Sequence, residues 1–276
     1  MGQVVVITGC AQGMGREVTK ILAAKGVAVA GFDLDGKGLL ELEHELAGMR
    51  GGHHFEKLSV TDRKGILKFR DAVLEKFGHV DTVLSNVGVG FFGPLEEVDL
   101  EKAITNFEIN VIGTAAVFQA FIPSMRERRQ GKLVAVASMV GRIPFPFESI
   151  YSSSKFAVEG LVRSLKYEVA PFGIKVALIE PSQVATAFAA KSHVIPPADS
   201  PYHARVVRFS KKNSEILKSA HTPETAAQLI VSILEQKNPK LHNQLSFKDT
   251  LNLKLMAILP SSLTDSMLLR HMDIAE

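Results

Sequence analysis

The stretch VVVITGCAQGMG, residues 4 to 15, decides the fold. Its first half is a run of β-branched apolar residues, the composition of a strand buried on both faces. Its second half, TGCAQGMG, carries three glycines. Gly9 permits a tight turn, Gly13 lets backbone approach a pyrophosphate, and Gly15 lets the following helix pack against the strand. The N-terminus of that helix offers free N–H groups and a positive dipole end to phosphate oxygens, so Gln12 and Met14 join the expected cradle. A glycine triplet by itself is weak and also serves plain structural turns. The strand before it and the helix after it make dinucleotide binding the expected role.

The alternation continues along the chain. VAVAGF (27–32) precedes a predicted helix around 37–49, and HFEKLSV (54–60) precedes one near 62–77. VDTVLSN (80–86) leads to a long helix beginning near Leu100, KLVAVAS (132–138) to a helix opening at Tyr151, and IKVALIE (174–180) ends at Pro181. Apolar strands separated by helices predict an α/β fold, a doubly wound parallel sheet with helices on both faces and right-handed crossovers. One domain, residues 1–276, is expected. Three loops, 87–99, 139–150 and 182–202, are longer than connection requires. All follow strand C-terminal ends, the edge where open α/β sheets bind ligands.

Composition narrows the class. The 276 residues are 46% hydrophobic and 22% charged, which suits a buried core and excludes a disordered chain. A net charge of +3 with no dense basic block argues against nucleic acid as the main partner. RERRQGK (126–132) reads as a solvated helix end. Cys10 is the single cysteine, so no intrachain disulfide can form, in keeping with a reducing compartment. The chain enters its first strand without a basic flank or cleavage site, and no uninterrupted apolar run reaches spanning length. A cytoplasmic protein is expected, with no metal site.

Two polar features demand chemistry. In YSSSKFAVEG (151–160), Tyr151 and Lys155 stand four apart and share a helix face. Tyr-x-x-x-Lys is short enough to arise by chance. A neighbouring ammonium would nevertheless favour the phenolate and lower a pKa that is ordinarily about 10. Asp33 ends the second strand. A carboxylate there accepts hydrogen bonds from adenosine ribose hydroxyls and repels a 2′-phosphate. No Lys or Arg stands between Gly9 and Gly15 to offset it, so NAD is expected over NADP. The alternative for Asp33 is a turn residue in FDLDG.

These motifs, in this order, resemble the short-chain dehydrogenase/reductase family in its non-extended, Rossmann-type form, over the chain to about residue 240. SNVG (85–88) resembles that family's Asn-Asn-Ala-Gly turn, with Ser85 and Val87 as departures. Asn110 in EINVIGT matches its helix asparagine, and Ser138, Tyr151 and Lys155 match its serine and Tyr-x-x-x-Lys. PSQVAT (181–186) matches its Pro-Gly-x-x-x-Thr, with Ser182 where glycine is usual. The resemblance implies that Tyr151 exchanges a proton with substrate, that Ser138 bonds the substrate oxygen, and that Lys155 also holds the nicotinamide ribose. It implies that Asn110 positions a water linking Lys155 to solvent. Asn86 and Gly88 would border the two riboses, and Val184 and Thr186 would meet the carboxamide and phosphate. Ser59 and Val60 stand where an Asp-Val pair often edges the adenine, which leaves Ser59 a weaker acceptor. Singly, Ser138 also reads as a strand-ending turn residue and Asn110 as a buried side chain satisfying backbone groups.

The three long loops are apolar. They carry Phe91, Phe92, Met139, Ile143, Phe145, Phe147, Phe188, Val194 and Ile195, which read either as loop anchors or as walls for an apolar substrate. GVGFFGPLEE, RIPFPFESIYSSSKFAVEGL and LIEPSQVATAF resemble the branch of the family that holds 17β-hydroxysteroid and retinol dehydrogenases. That branch implies a steroid-, retinoid- or lipid-like alcohol or ketone. A reductase of 3-oxoacyl chains or other bulky ketones, and a non-catalytic NAD(H) sensor, are the competing readings. The resemblance further implies a homodimer or homotetramer packed through the helices near 100–126 and 151–170. The tail at 247–272 has helical apolar spacing broken at Pro260. Burial on the body or a partner subunit is favoured for it over peripheral membrane contact.

Overall fold

The structure is a computed structural model that describes residues 2–186, 188 and 195–275. Val194 lies outside the described residues.

Among the described residues, seven strands form one parallel sheet in the order β3-β2-β1-β4-β5-β6-β7. They are β1 Val4–Thr8, β2 Ala28–Asp33, β3 His53–Lys57, β4 Thr82–Ser85, β5 Gly131–Val136, β6 Ile174–Glu180 and β7 His242–Gln244. Alternate side chains of β1 enter opposite cores, because successive Cβ atoms point to opposite faces of a sheet. Val4 and Val6 join Phe32, Phe69, Phe121 and Val158 on one face. Val5 and Ile7 join Leu22, Leu42, Leu84 and Ile230 on the other. The first face is covered by α3 (Arg63–Phe77), α5 (Gly113–Arg128) and α6 (Ser149–Val169). The second is covered by α1 (Gly13–Ala24), α2 (Gly36–Glu45) and the helix Pro223–Leu234.

Strand order reverses between β1 and β4, which pair side by side with Ile7 opposite Leu84. Outward from β1 the chain runs one way through β2 and β3. From β4 it runs the other way through β5, β6 and β7. A crevice therefore opens beyond the C-terminal ends of β1 and β4, between loops that leave in opposite directions.

The long helix foreseen near Leu100 is α4 (Leu100–Phe107), a π turn at Glu108–Ile112, and α5. This 29-residue stretch is long and apolar enough to cross a bilayer by length and composition alone. Val117, Phe118, Phe121 and Met125 bury it in the core.

Among the described residues, two helices and one strand were not foreseen. They are α7 (His203–Leu217), α8 (Pro223–Leu234) and β7, whose residues HNQ are polar and only three in number. The tail forms α9 (Phe247–Ile258) and α10 (Ser261–His271), divided at Pro260 as the sequence predicts. Beyond α10, Met272 and Ile274 are fully buried with Phe209 of α7.

Candidate active site

The glycine loop has the backbone that its composition predicts. Gly9 and Gly13 have φ of +70° and +57°, where a side chain is strained. A Cβ on Gly15 would lie 2.0 Å from the Gly9 carbonyl oxygen, so the helix can start there only without one. Gln12 precedes α1 in extended conformation and its side chain makes no cap bond, leaving the first N–H groups to other partners. These N–H groups, the absent side chains and the positive end of α1 fit a pyrophosphate. Met14 is half-buried against the core. Asn86 stitches the loop to β4, donating from Nδ2 to the carbonyls of Thr8 (3.1 Å) and Gly9 (3.2 Å). Asp33 is buried and braces the loop, its Oδ2 accepting from Ala11 N–H and its Oδ1 from Asp35 N–H, both at 3.0 Å. Arg16, just past the loop, is already bonded to the Ala11 and Gly38 carbonyls and to Glu45.

PSQVAT folds back over the loop. Val184 bridges to His221, and the Thr186 methyl lies 3.6 Å from where a Cβ on Gly13 would be. The structure therefore brings Thr186 to the cradle. Ser59 bonds locally with Thr61 at 2.8 Å, while Val60 is buried against Gly113. Val60 is thus a core residue as well as a neighbour of the expected adenine edge.

Next to this loop, β5 and α6 deliver Ser138, Tyr151 and Lys155 to one place. Ser138 sits just past β5, its Oγ accepting from Val140 N–H at 3.3 Å. It hydrogen-bonds Tyr151 on the first turn of α6. One turn on, Lys155 is buried, its Nζ donating to the Val136 carbonyl at 3.0 Å and lying 5.8 Å from the Tyr151 ring centre. A Cβ on Gly88 would lie 3.2 Å from that Nζ, so the SNVG turn closes over the lysine. Asn110 occupies the π turn, a local irregularity frequent at functional sites. Its Oδ1 accepts from Val89 N–H (2.8 Å). Its Nδ2 donates to Val89 carbonyl (3.0 Å), Ser154 Oγ (3.0 Å) and Asn106 Oδ1 (3.2 Å). Asn110 therefore pins the turn at Val89 to α6.

Residues 3–194 match the family model described as short chain dehydrogenase. The chain belongs to that family. It is similar to human 17-beta-hydroxysteroid dehydrogenase type 1, 33% identical over 250 residues, covering 86% of this chain and 76% of that one. Among solved structures it is similar to a short chain dehydrogenase/reductase from Burkholderia phymatum in complex with NAD. The TM-score is 0.80 at 25% identity, over 93% of each chain. It is also similar to an alcohol dehydrogenase from Thermococcus sibiricus complexed with 5-hydroxy-NADP. There the TM-score is 0.73 at 26% identity, over 88% of this chain and 95% of that one. The fold and family are those of NAD(P)-dependent oxidoreductases.

Sequence chemistry has Lys155 lowering the pKa of Tyr151. In this short chain dehydrogenase the phenol is instead pushed up, first by burial and then by the Glu148 carboxyl, with the Ser138 hydrogen bond opposing. Lys155 is itself pushed down to about 8 by burial, with Glu159 opposing. Desolvation of the charged form dominates both shifts. Glu148, which stands at the N-cap position of α6 without a side-chain capping bond and is itself pushed up to about 8 by burial, was not singled out from the sequence. Its place three residues before Tyr151 is the only signal it gives.

The apolar residues separate into two groups. Phe92 and Phe188 flank the Tyr151 ring, each with ring centres 5.6 Å away; half-buried Phe91 lies beside Phe92 on the 87–99 loop, and half-buried Met139 opens the 139–150 loop just after Ser138. Phe145 and Phe147 instead pack with Phe209, Leu268, Leu269, Met272 and Ile274. Phe147 adopts φ of +60° and meets Phe209 edge to face at 5.6 Å. Their expected place on a substrate wall is thus shared with a second task, holding the C-terminal tail.

A buried acidic cluster also went unforeseen. Glu159 of α6, Glu180 of β6 and His242 of β7 bring their ligating atoms within 4.8 Å of one another. Arg142 Nη1 stands 3.1 Å from Glu180 Oε1 and 3.2 Å from His242 Nδ1. Sequence patterns give no warning, because the three residues come from elements that only the sheet makes adjacent.

Proposed function

We propose that this protein interconverts an apolar secondary alcohol and its ketone, of steroid-, retinoid- or lipid-like character, using NAD in preference to NADP. The observation that carries the reading is the convergence of Ser138, Tyr151 and Lys155 beside the glycine loop, with Phe92 and Phe188 against the tyrosine. Gly9, Gln12, Gly13, Met14 and Gly15 would hold the pyrophosphate, Asp33 the adenosine ribose, and Asn86, Gly88 and Lys155 the riboses and their surroundings. Ser59 and Val60 would edge the adenine, and Val184 and Thr186 would meet the carboxamide end. Bound there, the nicotinamide supplies or accepts the hydride.

The chain's own residues handle the proton. In reduction, Tyr151 donates its phenolic proton to the carbonyl oxygen while Ser138 donates a hydrogen bond to the same oxygen. The Lys155 ammonium stabilises the phenolate left behind. In oxidation the phenolate takes the alcohol proton. The low-dielectric surroundings that raise the phenol's pKa also strengthen its attraction to Lys155 once charge develops. Asn110 acts by fixing the turn at Val89 and the α6 backbone around the lysine.

For the cofactor, Asp33 and the engagement of Arg16 with the Ala11 and Gly38 carbonyls and Glu45 support NAD, since a 2′-phosphate would meet the Asp33 carboxylate and find Arg16 already bonded. A homo-oligomer through α4 is supported by its exposed Leu100 (64%) and Ile104 (59%). The test of the function is NADH oxidation over a panel of steroid, retinoid, 3-oxoacyl and small ketone substrates. Turnover concentrated in bulky apolar ketones supports the reading. NADH binding without turnover of any would make the protein a sensor and overturn it.

A further inference from the structure

Helix α9 is amphipathic in the reverse of the usual sense. Its inward face carries Asp249, which is buried and accepts a hydrogen bond from Ser182 Oγ at 2.9 Å, and the buried Leu253. Its outward face carries Phe247, Leu251, Leu255 and Ile258, exposed by 83%, 55%, 41% and 79%. At 3.6 residues per turn these four fall within an arc of about 80°. Lys248 and Lys254, both exposed, border that arc on its two sides. No acidic residue stands on it, because Asp249 points inward.

We propose that this face of α9 docks the protein on an anionic lipid surface. Charge chooses the occupant. Lysines bordering an apolar stripe can extend to headgroup level while the stripe enters the acyl boundary. A second copy of the chain docking the same stripe would bring lysines and apolar groups but no carboxylate to meet them. Shape agrees, since a convex ridge one helix wide and about 18 Å long needs a complementary groove from a protein partner, and stable protein interfaces bury about 800 Å² per partner. A bilayer conforms to a ridge without one. The fold holds the stripe outward through the Asp249–Ser182 bond, and the adjoining tail packs on Phe145 and Phe147.

The experiment is co-sedimentation of the full chain with phosphatidylcholine vesicles, with and without phosphatidylserine, beside sedimentation velocity in the absence of lipid. No substrate is present, so the outcome is independent of the substrate screen. Wild type should pellet with phosphatidylserine vesicles and less with phosphatidylcholine alone. Phe247→Ser with Ile258→Ser should cut the partition coefficient by at least about tenfold. Lys248→Glu with Lys254→Glu should remove the preference for anionic lipid. Both variants change exposed residues, and an unchanged melting temperature establishes that they fold. Wild type that pellets with neither vesicle, or stripe variants that bind as well as wild type, would overturn the proposal. A stripe variant that lowers particle mass without altering vesicle binding would assign the face to a second copy instead.

Discussion

Replacing Glu159 with glutamine should make the protein more stable at alkaline pH and leave it nearly unchanged in acid. Glu159 is 4% exposed, and neither of its carboxyl oxygens has a donor among the described residues. The donors of the cluster go to Glu180, whose Oε1 takes Arg142 (3.1 Å) and His242 (2.6 Å) and whose Oε2 takes Gln244. His242 Nδ1 reaches only 3.5 Å from Glu159 Oε2. Two carboxyls facing each other without a donor between them require a proton. Burial and Glu180 accordingly hold the Glu159 carboxyl well above the usual carboxylate range, against the pull of Arg142 and Arg163. The folded chain keeps a proton that the unfolded chain releases near pH 4.5, so stability falls as pH rises from there toward the folded value. The limiting slope is about 1.4 kcal/mol per pH unit. Screening by the partly exposed Arg142 and His242 brings the working figure to roughly 1–2 kcal/mol between about pH 5 and 8. For a domain near this size that is about 3–6 °C in melting temperature. Glutamine is neutral throughout and donates its amide to Glu180. Melting curves of wild type and Glu159→Gln should therefore nearly coincide at about pH 5, with the variant gaining as pH rises. Parallel curves across the range would show that Glu159 is not a proton holder.

Gly15→Ala should weaken NADH binding strongly and cost about 1–3 kcal/mol of stability, because its Cβ would lie 2.0 Å from a backbone oxygen; fluorescence titration and a melting curve check both. Asp33→Ala should narrow the preference for NADH over NADPH and loosen the loop at Ala11; specificity constants already favouring NADPH in the wild type would count against this. Tyr151→Phe should abolish turnover with NADH binding kept, whereas Lys155→Met should also lower NADH affinity. A Tyr151→Phe enzyme turning over at the wild-type rate would remove the tyrosine from the mechanism. Phe92→Ala should damage bulky ketones more than small ones, while Phe145→Ala should mainly loosen the tail, read as increased proteolysis after α8.

Local order was legible because it is written in short-range chemistry. Strand composition, glycine spacing and the i, i+4 relation of Tyr151 and Lys155 act within a few residues, so β1, its loop, α1 and the first turn of α6 could be read directly. The break at Pro260 was legible for the same reason. Only the tertiary structure decided what burial does to those groups. The same Lys155 that should acidify Tyr151 in the open lies in surroundings where desolvation dominates, and Glu148 adds a charge of the wrong sign. It also decided that Phe145 and Phe147 turn toward the tail, that Asn110 spends its amide on Val89 and Ser154, and that Glu159 meets Glu180 and His242. Each of these depends on elements far apart in the chain becoming neighbours in the sheet. A side chain's neighbours, and with them its charge and partners, follow from topology and not from the residues beside it in sequence.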